Sequence, residues 1–369
     1  MRIGINARNI LPNKLEGFGH YSLEIISRIV SSHPEHEFFL YFDRKINVPF
    51  PVGKNVHLRF VSPPTRHVLL YLFWFEFRLP NWFKKDKIDL FWSPDGILSL
   101  RSNVKQIGTI HDINFEHYPE DMPKIASWYF RRYFPKYAAK ANQLITVSTY
   151  SATDIAKTYN LPLSKIQVIH NGASSQFKPL SLDEKQAVKI EFTKGREYLL
   201  FVGSLHPRKN VKRLIAAFHS IAHEFPELDL VIVGSAMWDK NFLGDLSQIE
   251  SRLVLTGHLP LDQLARLMGA AKIFTFVPYF EGFGIPLVEA MRCGTPILTA
   301  NVTSLPEVAE NAAVYCDPFN LEDIFNQMRM MLKDEKKLEE LSRIGLERSR
   351  EFSWEIAAKK TWEVIEQRI

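Results

Sequence analysis

Residues Pro278–Glu307 read PYFEGFGIPLVEAMRCGTPILTANVTSLPE. From Pro286 the positions Leu287, Val288, Ala290 and Met291 carry helical spacing, with proline in the first turn, where its missing N–H costs nothing. Gly294-Thr295-Pro296 stops that helix, a glycine end followed by a residue that cannot continue it. Apolar runs at Ile273–Val277 and Pro296–Thr299 flank it, so the stretch reads as strand, glycine loop, helix and strand, one unit of a parallel sheet. Glu281 lies on the loop entering the helix and Glu289 about one turn in. A glycine loop feeding a helix N-terminus offers free amides and the positive end of the dipole, which suit a phosphate. Carboxylates beside an anion site are unwelcome unless they meet hydroxyls, so the pair points to a ligand carrying both phosphate and sugar hydroxyls. The bare spacing equally fits a solvated helix start.

The same alternation extends in both directions. Ahead of this unit, Tyr198–Val202, Leu228–Val233 and Leu253–Leu255 are strand-like, with a helix at Asn210–Phe225 between the first two; Ala313–Tyr315 follows it. An earlier series comprises Ile3–Ile5, Phe38–Phe42, Val56–Val61, Leu90–Trp92, Ile107–Ile110 and Leu144–Val147. Strands separated by longer connections imply two doubly wound α/β domains in tandem. The expected division is residues 1–178, 179–352 and a terminal helical segment 353–369, the boundary falling where Pro179 and a polar stretch interrupt the pattern. Open parallel sheets bind ligands beyond the carboxyl ends of their strands, so the loops after strands should carry the chemistry, and a cleft between two such sheets is the default site.

The chain has 369 residues, too many for one ordinary core, and its 46% apolar and 24% charged residues are those of a folded globular protein. Lys and Arg number 23 against 14 Asp and Glu in residues 1–180, and 23 against 27 in the remainder, a net of +9 against −4, so the halves are expected to have different partners or different jobs. Cys293 and Cys316, the two cysteines, suit a reducing compartment and small apolar packing. The N-terminus reads as a buried strand rather than a secretory signal, and the longest uncharged apolar run, Val68–Phe75, is far short of a membrane span. A cytoplasmic protein is expected.

Four loops after strands carry candidate groups. Gly17-Phe18-Gly19 follows the first strand and precedes a helix, but it lacks the third glycine of a dinucleotide fingerprint, which disfavours a nicotinamide dehydrogenase. His111 and Asp112 end the Ile107–Ile110 strand. Gly203-Ser204 leads into Arg208-Lys209, adjacent cations at a helix start that suit a diphosphate, as bidentate donor and compact charge. Thr256-Gly257-His258-Leu259 follows a later strand. Val147–Ser151 and Val168–Gly172 read as structural, with Ser151 a helix cap and Asn171-Gly172 a turn.

The pattern E-G-F-G-x-P-x-x-E-A-M-x-x-G-T-P resembles the donor-site motif of the family 4 retaining glycosyltransferases, and the likeness runs along nearly the whole chain. It implies the GT-B fold, two Rossmann-like domains facing across a deep cleft, with the terminal helix crossing back onto the N-terminal domain. It also implies transfer of a sugar from a nucleoside diphosphate donor to a hydroxyl with retention. Carried over, Glu289 meets the ribose hydroxyls, Glu281 and His111 the donor sugar, and Arg208 and Lys209 with the amides around Gly282, Phe283, Gly284 and Ile285 the departing diphosphate. Gly17 and Gly19 approach donor and acceptor, Gly203 and Ser204 line the nucleotide, and His258 and Leu259 pass beneath the base. Many relatives have an arginine where this chain has Ser204, which places more charge neutralisation on Arg208. Phe115-Glu116-His117-Tyr118-Pro119-Glu120 resembles a mannosyltransferase subgroup of bacterial surface polysaccharide synthesis, making GDP-mannose the first donor to expect.

No Asp-x-Asp element is present, so no metal and no cofactor beyond the donor are expected. Val68–Phe83 and Ile125–Ala141 mix bulky apolar groups with cations, a composition suited to peripheral contact with an anionic membrane at its inner face, and equally to core helices with a basic side. No nucleic-acid recognition element accompanies the basic surface. A sugar-nucleotide epimerase, a phosphorylase or a non-catalytic nucleotide-sugar sensor or scaffold remain as alternatives on this architecture.

Overall fold

The computed structural model describes residues 1–11, 17–47, 49, 53–235 and 250–368. It divides into two compact units, Met1–Asn171 with Trp354–Ile369, and Gly172–Ser353. The boundary expected at 178/179 therefore lies inside the second unit.

The first unit is built on a seven-stranded parallel sheet of order β3-β2-β1-β4-β5-β6-β7. Its strands are β1 (Arg2–Asn6), β2 (Glu37–Phe42), β3 (Val56–Phe60), β4 (Leu90–Ser93), β5 (Lys105–Thr109), β6 (Gln143–Thr146) and β7 (Ile166–Val168). Because helices cover both faces, β2 and β4 are near-continuous apolar runs without alternation: β4 is buried throughout, and Trp92 is wholly enclosed. One large cluster joins Trp74, Phe83, Phe91, Tyr129, Phe134 and Tyr137. The terminal helix Trp354–Glu366 packs in this unit against helix Gly17–Ser32. Trp362 stacks on His33 at 3.8 Å, Trp354 meets Tyr21 edge-on at 6.1 Å, and Arg28 pairs with Glu355 at 2.8 Å.

The second unit carries a six-stranded parallel sheet of order β10-β9-β8-β11-β12-β13, formed by β8 (Glu197–Val202), β9 (Leu228–Val233), β10 (Leu253–Gly257), β11 (Ile273–Phe276), β12 (Ile297–Ala300) and β13 (Ala313–Cys316). In each sheet the strand order reverses once, between β1 and β4 and between β8 and β11, and a crevice for ligand opens where neighbouring loops diverge at such a reversal. Cys293 and Cys316 are buried and free, and burial pushes both thiols up to about 12.

Three local expectations are corrected. The polar stretch after Pro179 is a helix, Leu182–Thr193, opened by a capping box: Ser181 Oγ accepts from the Glu184 amide and the Glu184 carboxylate accepts from the Ser181 amide at 2.7 Å. Helix Thr149–Tyr159 is capped by Ser148 rather than Ser151, because Ser148 is the extended residue whose Oγ reaches the Ser151 amide at 3.0 Å. Gly17-Phe18-Gly19 forms the first turn of helix Gly17–Ser32 rather than the loop before it.

Candidate active site

In the second unit the loops after β8 and β11, neighbours at the reversal, are tied together by charge. Glu281 Oε2 accepts from Lys209 Nζ at 2.5 Å and from Arg208 Nη1 at 2.9 Å. Arg208 Nη1 also reaches the Phe280 carbonyl at 3.0 Å, and the Tyr279 amide donates to the Arg208 carbonyl at 3.0 Å. Burial acts to raise the Glu281 carboxyl, but the two cations outweigh it and hold the group below the usual carboxylate range. Lys209 is itself buried, its ammonium 4.9 Å from the centre of the Phe276 ring.

Gly284 caps helix Ile285–Cys293 in the left-handed region, φ 91°, and a Cβ there would stand 3.0 Å from Leu305 Cδ2. As a glycine, the N-cap offers no side chain to the amides of the first turn. Gly282, Phe283 and Gly284 are buried, and Ser304 Oγ donates to the Glu281 carbonyl at 2.9 Å, fixing the turn from the β12 side. Glu289 lies on the buried side of the helix at 7% exposure, and no described residue donates to its carboxylate. Burial alone pushes it up to about 8. A buried carboxyl to which no described side chain donates is suited to receive hydroxyl donors from outside.

Sequence reading missed three supports of this site. Asn210, in the left-handed region at φ 61°, donates from Nδ2 to the Val277 carbonyl at 2.9 Å and the Pro318 carbonyl at 2.8 Å, joining the loops after β8, β11 and β13. His206 is buried beside both cations, and burial with those charges brings it down to about 4; its neutral Nδ1 accepts from the Arg208 amide at 3.3 Å. Gly234, after β9, approaches Gly203 so closely that a Cβ on it would sit 1.9 Å from the Gly203 carbonyl oxygen. Its amide donates to the Gly257 carbonyl at 2.8 Å, just ahead of exposed His258 and half-buried Leu259. Gly203 and Ser204 are partly exposed on the β8 loop.

In the first unit, His111 follows β5 and donates from Nε2 to the Pro94 carbonyl at 2.9 Å. Tyr21 meets its ring edge-on at 4.6 Å and Phe18 lies 4.9 Å away, so the Gly17–Gly19 turn and His111 are neighbours. Burial draws the imidazole below its ordinary value, the Pro94 carbonyl and Asp112 opposing in part. Among the described residues there is no group of three or more His, Cys, Asp or Glu that could hold a metal ion.

Two family models match the chain, Glycosyltransferase Family 4 over residues 21–177 and Glycosyl transferases group 1 over residues 183–348. The O-antigen chain mannosyltransferase B of Escherichia coli is 29% identical over 94% of this chain and 95% of its own length. Among solved structures, sucrose-phosphate synthase from Thermosynechococcus elongatus superposes with a TM-score of 0.83 at 18% identity, covering 99% of this chain and 98% of that one. The Anabaena protein HepE in complex with UDP-glucose gives 0.77 at 18% identity over the whole of both chains. With two reversing parallel sheets and a glycine-loop, glutamate and cation cluster, the chain belongs to the family 4, group 1 glycosyltransferases of GT-B fold.

Proposed function

We propose that this glycosyltransferase moves mannose from GDP-mannose, with retention, to a hydroxyl of a glycan or lipid-linked glycan acceptor in bacterial surface polysaccharide synthesis. The observation that carries this reading is the near full-length similarity to an O-antigen mannosyltransferase, joined to the Glu281–Lys209–Arg208 cluster. Glu289 takes the ribose hydroxyls, Glu281 and His111 hydroxyls of the transferred sugar. Arg208 and Lys209, turning from Glu281, meet the diphosphate with the amides of Phe283, Gly284 and Ile285. Charge developing on the departing diphosphate is then met by these cations and amides, and electrostatic stabilisation of this kind is the usual largest share of catalysis. No step needs a metal ion or an enzyme-bound glycosyl intermediate. The test is thermal stabilisation by a panel of nucleotide sugars: a ligand at 100 times its Kd adds about 2.7 kcal/mol, and GDP-mannose should stabilise most. A larger shift with a UDP-sugar would overturn the choice of donor.

The acceptor side adds a surface. Leu69, Phe73 and Phe77, four residues apart along one helical stretch, are 54%, 45% and 50% exposed. Exposed Arg66, Lys84, Lys85 and Lys87 lie before and after them, and Ile125 and Trp128 are exposed on helix Lys124–Lys140 beside Arg131 and Arg132. Apolar side chains fringed by cations fit an anionic lipid surface. No helix among the described residues is long and apolar enough to cross a membrane. Vesicles of phosphatidylglycerol should sediment the protein and vesicles of phosphatidylcholine should not, with loss on replacing Leu69, Phe73 and Phe77 by Ser. Equal sedimentation of that variant would remove the surface from consideration.

A further inference from the structure

At the reversal in the first sheet, between the ends of β1 and β4, stands a buried polar knot centred on Asp95. Its Oδ1 accepts from Asn6 Nδ2 at 2.9 Å, Ser93 Oγ at 3.0 Å and the Ile97 amide at 3.3 Å. Its Oδ2 accepts from Arg8 Nη2 at 2.6 Å and Asn9 Nδ2 at 2.8 Å. Arg8 is in turn fixed by Thr65 Oγ1 at 3.1 Å and by the Tyr71 ring, 4.4 Å from its guanidinium carbon. Arg8 and Asp95 are both buried. Such a pair adds little net stability over apolar groups of the same volume, so its effect here is geometric.

What it holds is the loop Pro94–Ile97. Gly96, at φ +76°, is pressed onto the end of β5: a Cβ there would lie 2.8 Å from Ile110 Cγ1 and 3.2 Å from the Thr109 carbonyl oxygen. The Pro94 carbonyl, one residue before Asp95, is the partner of His111 Nε2. A carbonyl only accepts, so Nε2 carries the hydrogen, and in the neutral ring Nδ1 is left as an acceptor. The titratable groups facing the ring are Asp112, Asp95 and Tyr21.

We propose that the Arg8–Asp95 pair, with Asn6 and Asn9, is the positioning device that sets the Pro94 carbonyl and thereby holds His111 as the Nε2–H tautomer, its Nδ1 presented as acceptor to a hydroxyl of the donor sugar. The inference rests on the proposed contact of His111 with that sugar. The Phe18 and Tyr21 rings fix the imidazole plane while the Pro94 carbonyl fixes which nitrogen is protonated.

The test uses the full chain with 15N-labelled histidine, the His111 signals being those lost in His111→Ala. Wild type should show a bare Nδ1 and a protonated Nε2; the opposite tautomer overturns the proposal. In Asp95→Asn the tautomers should mix, and GDP-mannose turnover should lose on the order of 10²-fold in kcat, as misplacement of a catalytic contact does, with KM little changed. Introduced into His111→Ala, the same substitution should cost nothing further; a full additional loss would show that Asp95 acts independently of His111 and overturn the proposal. Wild-type turnover by His111→Ala itself would instead sink the sugar-contact reading, leaving the tautomer result to decide the positioning. Should Asp95→Asn fail to fold, Asn9→Ala, which removes one half-buried donor, gives the same two readouts.

Discussion

Glu289 supplies the prediction on which the donor site can be judged most sharply. Burial alone pushes its titration up to about 8, so at pH 7 the protonated form is the larger share. If ribose hydroxyls and the attached nucleotide convert it to a hydrogen-bonded carboxylate, binding of GDP at pH 7 releases a proton, on the order of one per molecule bound. Calorimetry in buffers of differing ionisation enthalpy reads that number directly, and the release should vanish in Glu289→Gln. The ligand-free protein carries a second signature. The folded value lies above the ordinary 4.5, so the contribution to stability is intact below pH 4.5 and is lost as the pH rises towards 8. The difference of 3.5, at 1.36 kcal/mol each, sets a ceiling of roughly 5 kcal/mol. Glu289→Gln, which cannot ionise, should therefore melt with wild type near pH 4.5 and above it near pH 8. Proton release that is absent in wild type, or unchanged in the Gln variant, would refute the placing of the nucleotide against this helix.

Replacing both Arg208 and Lys209 by Ala should lower kcat by on the order of 10²-fold or more, since preorganised charge at the leaving group is removed; steady-state kinetics near wild type would contradict the diphosphate assignment. A chelator should leave glycosyl transfer intact, and abolition of activity by it would restore a metal to the mechanism. Gly234→Ala should cost about 3 kcal/mol or more in urea unfolding, because a strained φ and a backbone clash with Gly203 combine; an unchanged midpoint would mean the two loops part easily.

Most strands were legible because a parallel sheet covered on both faces needs unbroken apolar runs, and runs such as Phe38–Phe42 and Leu228–Val233 have few other readings. Helix Ile285–Cys293 was legible through its Pro and Gly punctuation. Helix Leu182–Thr193 was not, because it buries little beyond Val188 and Thr193 and so has no apolar stripe; its one signal was S-x-x-E at Ser181 and Glu184. Ser148 and Ser151 both offer a hydroxyl near the start of a helix, and only the extended backbone of Ser148 decides between them.

The sequence by itself determined the repeated strand-and-helix order, the division into two α/β halves, and the residues Glu281, Glu289, Arg208, Lys209 and His111 as those worth watching, since periodicity, punctuation and motif are local properties of a chain. Tertiary structure decided their surroundings: Glu281 bound to Lys209 across 72 positions, Glu289 pushed up to about 8 by burial, and Asp95 gathering Asn6, Arg8 and Asn9 from more than 80 positions away. Such pairings depend on which strands lie side by side at a reversal of the sheet, and the ionisation of each group on how much water the fold removes from it; neither is written in the spacing of neighbouring residues.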